Sequence, residues 1–238
     1  MADCKIPAPI ALTRDAIRSG EVRRFMEAQV DVDATGYHLN TDADLLASRQ
    51  AMFAGGAPTK DVWLFGYGSL IWNPAIEYAE RQPCTIYGFH RSFCLWSTLG
   101  RGTPERPGLM LGLDRGGSCR GAAFRIPQAA AETELDIVWR REMSSDAYRA
   151  TWLKGRTADG RALRAIGFVV RREHQRYAGT VPEARMVSAI AGARGFLGSC
   201  ADYLINTVDH LDEMATPDRR MARLRDKVVE HLATTPQN

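Results

Sequence analysis

An α+β fold built around a strongly curved, barrel-like sheet with helices on one side follows from three features of the sequence. Short β-rich runs crowd the stretch from residue 62 to 126, Gly and Pro punctuate every gap between them, and the last third returns to helical periodicity. The 238 residues, 45% hydrophobic and 25% charged, suit one large domain or a domain with an appendage, and bury a core without staples. No self-similar period and no low-complexity tract occurs, which removes solenoids and disordered tails from consideration.

In chain order, residues 1–60 read as a helical extension ahead of a main body at 61–238. Thr13 is placed to cap a helix running through Ile17, Val22, Phe25 and Met26, which Gly20 weakens. Thr41 is placed to cap another through Leu45, Leu46 and Met52, which Gly55-Gly56 stops. From Asp61 the texture changes. Val62-Trp63-Leu64-Phe65 opens the strands, and runs at 84–97, 108–114 and 118–126 continue them. The spacing then predicts a helix over about 128–142, strands at about 148–156 and 162–170, and helices to the end.

The net charge of +3 arises from 31 basic and 28 acidic residues mixed along the chain, so no block of one sign marks a nucleic-acid or anionic-membrane partner. No stretch resembles a transmembrane span or a secretory signal, and a cytoplasmic location is the expectation. The five cysteines, Cys4, Cys84, Cys94, Cys119 and Cys200, are odd in number and widely spaced, as thiols in a reducing compartment are. The histidines His38, His90, His174, His210 and His231 never fall at i, i+3 or i+4, and no CxxC occurs, which argues against a metal enzyme.

Two segments stand out as carriers of chemistry. In Phe65-Gly66-Tyr67-Gly68-Ser69-Leu70 a bulky strand runs into a turn with glycine on both sides of a tyrosine. Such a turn lets a ligand approach the backbone, and its successive amides form a donor cluster for a carboxylate or a developing oxyanion. A tight turn around a core tyrosine accounts for the same residues, and no phosphate-loop lysine follows. The second is Glu142. Leu135, Val138 and Trp139 mark the apolar face of the 128–142 helix, and Glu142 lies i+7, i+4 and i+3 from them, whereas Glu132, Glu134, Arg140 and Arg141 leave the stripe. An inward carboxylate is either paired, with Arg149 as one available partner, or held neutral with a raised pKa suited to acid/base work. Arg101, in the polar loop from Arg91 to Gly108, is a candidate clamp for a substrate carboxylate or else a solvated surface arginine. Tyr203 flanks the stripe of Leu204, Val208 and Leu211. Ser69 lacks a Gly-x-Ser-x-Gly elbow and no cysteine carries a thiol-protease signature, which disfavours nucleophilic catalysis.

Val62 to Trp72, with its Tyr67-Gly68-Ser69-Leu70, resembles the signature of the ChaC family of glutathione-specific γ-glutamylcyclotransferases. The likeness continues through Arg91-Ser92-Phe93, Gly100 to Gly108, Cys119 to Arg125, Arg141-Glu142, Tyr148-Arg149 and Asp202-Tyr203-Leu204, covering residues 61 to about 232. The resemblance implies a small mixed-strand β-barrel flanked by helices, and conversion of glutathione to 5-oxoproline and cysteinylglycine without cofactor or metal. It further implies that Tyr67, Gly68, Ser69 and Leu70 hold the γ-glutamyl group, that Glu142 is catalytic, and that Tyr203 lines the pocket; contacts to the leaving group fall to Arg101 and Tyr148. One departure lies at Met143 to Ala147, where many relatives are expected to have a glycine and where Asp146 is the residue here that tolerates a left-handed backbone. The same cyclisation on other γ-glutamyl compounds, and a non-catalytic module on the same fold, are the alternatives.

Overall fold

The computed structural model describes residues 10–235; Cys4 lies outside them. Front helices α1 (Arg14–Arg18), α2 (Glu21–Gln29), α3 (Val32–Thr35) and α4 (Asp42–Met52) precede β1 (Val62–Gly66), β2 (Glu80–Ser97), β3 (Gly108–Ile126), α5 (Gln128–Glu142), β4 (Tyr148–Thr157) and β5 (Ala162–Val170). Helices α6 (Glu183–Gly192), α7 (Cys200–Glu213) and α8 (Arg219–Thr234) close the chain, with a minimal hairpin of β6 (Arg194–Gly195) and β7 (Gly198–Ser199) before α7. A 3-10 turn, Ser69–Ile71, follows β1.

The five main strands form a closed barrel in the order β1-β3-β2-β4-β5, and Leu64 paired with Ile166 in parallel completes the ring. Closure leaves no edge to protect. Leu64, Phe65, Ile86, Leu113, Phe124 and Phe168 of its strands are each fully buried, and because neighbours such as Leu64 and Phe65 face opposite sides, both faces of the sheet are covered. The separate runs at 108–114 and 118–126 are one strand, because Gly116 and Gly117 take positive φ angles (98° and 72°) and make a bulge opposite Gly88 without ending the ladder.

The predicted caps are present: the Thr13 side chain accepts from the Ala16 amide, and Thr41 forms a reciprocal capping box with Asp44. The first predicted helix, however, is two. Gly20 sits at φ 73°, a left-handed kink that separates α1 from α2. The extension packs against the barrel layer. Ile17 and Leu45 join the main core, Trp139 of α5 donates from its indole N–H to Ser48 of α4 at 3.3 Å, and Trp152 of β4 donates to the Met52 carbonyl at 3.1 Å.

This docking corrects the reading of α5 as a one-sided amphipathic helix. Glu134, expected off the stripe, is only 2% exposed. Arg14 of α1 covers it with two hydrogen bonds of 2.5 and 2.6 Å, and the Glu77 amide adds a third at 2.9 Å. Helix α5 is buried on two sides, by the barrel and by the extension, so polar residues on its second face go inside only because each finds a partner.

Candidate active site

A cavity of ≈ 140 Å³ opens where the 3-10 turn after β1, the end of α5, the start of β4 and helix α7 meet. Tyr67, Gly68, Ser69, Leu70, Glu142, Tyr148 and Tyr203 all line it, so seven of the eight sequence candidates converge from four elements. The eighth, Arg101, does not. Its loop folds back rather than standing in solvent: the Arg101 amide donates to Ser97 Oγ at 3.0 Å, a guanidinium N–H donates to the Ser199 carbonyl at 3.0 Å, and the cation lies 5.1 Å from the centre of the Tyr203 ring. Arg101 therefore backs Tyr203 from outside the cavity wall, its residue 8% exposed.

The turn is held from behind. The Tyr67 hydroxyl donates to the Phe168 carbonyl at 3.0 Å, and Arg91, itself paired with Asp218 at 3.1 Å, donates to the Tyr67 carbonyl at 2.7 Å. Gly68 is required by close approach: a Cβ there would lie 2.5 Å from the Tyr203 hydroxyl. At the start of the 3-10 turn the amides of Ser69 and Leu70 have no partner within the turn, which leaves two donors for a ligand oxygen.

Glu142 is the last residue of α5, and its side chain is 18% exposed. Its partner is not Arg149, which is exposed, but its neighbour Arg141, expected to point away and in fact 4% exposed. Nε of Arg141 meets the Glu142 carboxylate at 3.0 Å, one Nη donates to Ser69 Oγ at 3.0 Å, and the other donates to the Asn73 carbonyl. One buried guanidinium thus ties the glutamate to the glycine-flanked turn. Burial pushes the Glu142 carboxyl above its ordinary range while Arg141 pulls it back, and burial wins. Burial also raises the phenols of Tyr67, Tyr148 and Tyr203, so each is a neutral hydrogen-bonding group.

Asp146, a residue type that tolerates a left-handed backbone, does not adopt one; its carboxylate meets His174 Nε2 at 3.0 Å. His174 Nδ1 accepts from the Arg176 amide at 3.1 Å, which fixes the neutral tautomer with its proton on Nε2. Sequence reasoning passed over Arg176, Tyr37 and Leu12, which also line the cavity. The last two come from the extension, where no local pattern signals a long-range contact. Cys84, Cys94, Cys119 and Cys200 are free, buried and off the cavity wall, and burial pushes the first two up to about 12. Among the described residues no three His, Cys, Asp or Glu side chains gather as metal ligands would, and no helix is long and apolar enough to cross a membrane.

A family model described as ChaC-like protein matches residues 62–231. The chain belongs to the ChaC-like family. Among the relatives of this ChaC-like chain, the glutathione-specific γ-glutamylcyclotransferase of Escherichia coli (strain K12) is 40% identical over 187 residues, covering 79% of this chain and 81% of the relative. Glutathione-specific γ-glutamylcyclotransferase 1 of Mus musculus is 29% identical over 170 residues, 69% and 75% of the two chains. The crystal structure of a glutathione-specific γ-glutamyl cyclotransferase from yeast superposes with a TM-score of 0.69 at 20% identity, over 75% of this chain and all of that one. At that identity it establishes the shared fold, the ChaC-like barrel with its flanking helices.

Proposed function

We propose that this chain is a glutathione-specific γ-glutamylcyclotransferase that releases 5-oxoproline and cysteinylglycine, with Glu142 as its acid/base residue. The observation that carries the reading is a buried carboxylate of raised pKa facing a glycine-flanked turn across one cavity, in a chain 40% identical to a relative of that activity.

The chemistry asks little beyond geometry. The substrate's α-amine attacks its own γ-carbonyl, one C–N bond forms and another breaks, and neither water nor a covalent enzyme intermediate enters. Folding the γ-glutamyl chain into a near-attack ring contributes up to about 7–11 kcal/mol in well-oriented systems, and the rigid Tyr67–Leu70 turn is suited to hold it. Between ammonium and lactam N–H the α-nitrogen gives up two protons, and between amide N–H and free ammonium the departing nitrogen gains two; Glu142 relays them one at a time and ends the turnover ionised as it began. A carboxyl raised by burial yet restrained by Arg141 is suited to both transfers. The free amides of Ser69 and Leu70 receive either the α-carboxylate or the tetrahedral oxyanion.

Residues 61–238 carry this chemistry, and residues 1–60 form an extension that supplies Tyr37 and Leu12 to the cavity. The partner is a small molecule rather than a nucleic acid or a membrane. Four buried free thiols suit the reducing cytoplasm, where reduced glutathione is found. Purified protein without added metal is expected to release 5-oxoproline from glutathione and little from γ-glutamyl-alanine. Comparable release from both would replace glutathione specificity with a general γ-glutamyl activity, and release from neither would overturn the enzyme reading.

A further inference from the structure

Arg176 is a buried cation without an anion. The residue is 5% exposed and stands on the cavity wall, yet its guanidinium meets only neutral groups: Ser145 Oγ at 2.8 Å, the Trp96 carbonyl at 3.5 Å, and the face of the Tyr37 ring with its centre 3.5 Å away. Nε has no acceptor at all. Buried cations are normally paired, because an unpaired one forfeits its hydration for nothing. Three other arginines with buried guanidinium groups or buried partners follow the rule, Arg14 meeting Glu134, Arg91 meeting Asp218 and Arg141 meeting Glu142, and Arg101 is a second exception. Arg101, the other deeply buried arginine stacked on a tyrosine, lies off the cavity.

We propose that Arg176, held against Tyr37 of the front extension, binds the carboxylate at the leaving-group end of the substrate and thereby sets specificity for a tripeptide with a free C-terminus. The inference rests on the cyclotransferase reading above. A γ-glutamyl tripeptide carries two carboxylates. The one beside the reacting amine travels with the γ-glutamyl group, which the Tyr67–Leu70 turn is suited to hold. Arg141 is not available for the other, since its donors are committed to Glu142, Ser69 and Asn73. Arg176 shares no hydrogen-bond partner with Arg141, and its one bond at the limiting distance and its idle Nε leave donor capacity for a planar, bidentate acceptor. The Tyr37 face partly stabilises the cation while the cavity is empty. The loop carrying Arg176 is itself fixed, because the Trp96 amide donates to the Arg176 carbonyl at 2.8 Å and the Arg176 amide donates to His174.

The test compares glutathione with its glycine carboxamide, γ-Glu-Cys-Gly-NH2, as substrates of the full chain and of Arg176→Met and Arg176→Lys. The wild type is expected to favour the free acid in kcat/KM by about 10- to 100-fold, as a site built for a charge-assisted contact does. Arg176→Met should lower that preference to within about threefold, chiefly through a higher KM for glutathione, and Arg176→Lys should fall between. The wild-type ratio needs no variant to fold. Equal use of acid and amide by the wild type, or an undiminished preference in a folded Arg176→Met, would overturn the assignment alone; 5-oxoproline from neither substrate would overturn the cyclotransferase reading with it.

Discussion

Arg141 and Arg176 stand on one cavity wall at nearly equal depth and are employed in opposite ways. Arg141 is saturated, tying the end of α5 to the turn after β1 through Glu142, Ser69 and Asn73. Arg176 is unsaturated, with neutral oxygens and an aromatic face where an anion belongs. The difference separates structure from recognition. A buried charge whose partner is built in shapes the site before any ligand arrives, whereas one without a partner gives up stability in the empty protein that a ligand of opposite charge can return.

Removing the saturated cation has the largest expected effect on stability. Arg141→Met should destabilise the protein by about 3 kcal/mol near neutral pH, because Glu142 is left without its counter-ion. The pH dependence has a definite sign. Without Arg141 the folded Glu142 pKa rises further above its ordinary value of 4.5, so the deficit is small below that pH and grows as pH rises through the shifted pKa. Denaturant unfolding at pH 4.5 and 7.5 checks it; an equal deficit at both would show that the pair does not carry the effect. Arg176→Met strands no carboxylate and is not expected to show that trend.

A smaller effect on stability, though a large one on activity, is expected from Gly68→Ala. The new Cβ would fall 2.5 Å from the Tyr203 hydroxyl oxygen and 3.6 Å from the ring carbon bearing it. Displacing the turn by a fraction of an ångström should lower kcat/KM about 100-fold, the scale of a misaligned reacting group. Adding Tyr203→Phe removes the clashing oxygen and should recover part of the loss. No recovery in the double variant would place the need for glycine elsewhere in the turn.

The smallest effect concerns the support behind Arg176. Burial and the Arg176 charge lower the His174 pKa below its ordinary 6.5 against the opposing pull of Asp146. The unfolded imidazole therefore takes a proton as pH falls through 6.5 while the folded one resists, so stability should drop below that pH. Melting curves at pH 7.5 and 5.5 should show a wild-type decline that flattens in His174→Gln; an identical decline would remove His174 from the account.

Much of the barrel was legible because its signals are local. The 128–142 helix ends at its expected residue, and the phase of Leu135, Val138 and Trp139 brought Glu142 inward. Gly68 was legible as a position of close approach, although not that Tyr203 is what approaches. Arg141 was misplaced because one hydrophobic stripe assumes one buried face, and α5 has two. Arg176 and Tyr37 carried no signal, since one lies in an irregular segment after β5 and the other in the extension, and only docking of that extension brings them together. The burial of Arg101 was illegible for the related reason that a polar, Gly- and Pro-rich loop reads as solvent-exposed, while this one folds back under α7.

On the proposed mechanism one buried carboxylate, Glu142, relays the protons of an otherwise intramolecular reaction. The most direct test of that relay is the single-turnover rate of 5-oxoproline formation from glutathione by wild type and by Glu142→Gln, with folding of both verified by melting. The account predicts a fall of about 10²–10⁴-fold in the variant, the scale for loss of a positioned acid/base group; a folded Glu142→Gln that cyclises glutathione at the wild-type rate would contradict it.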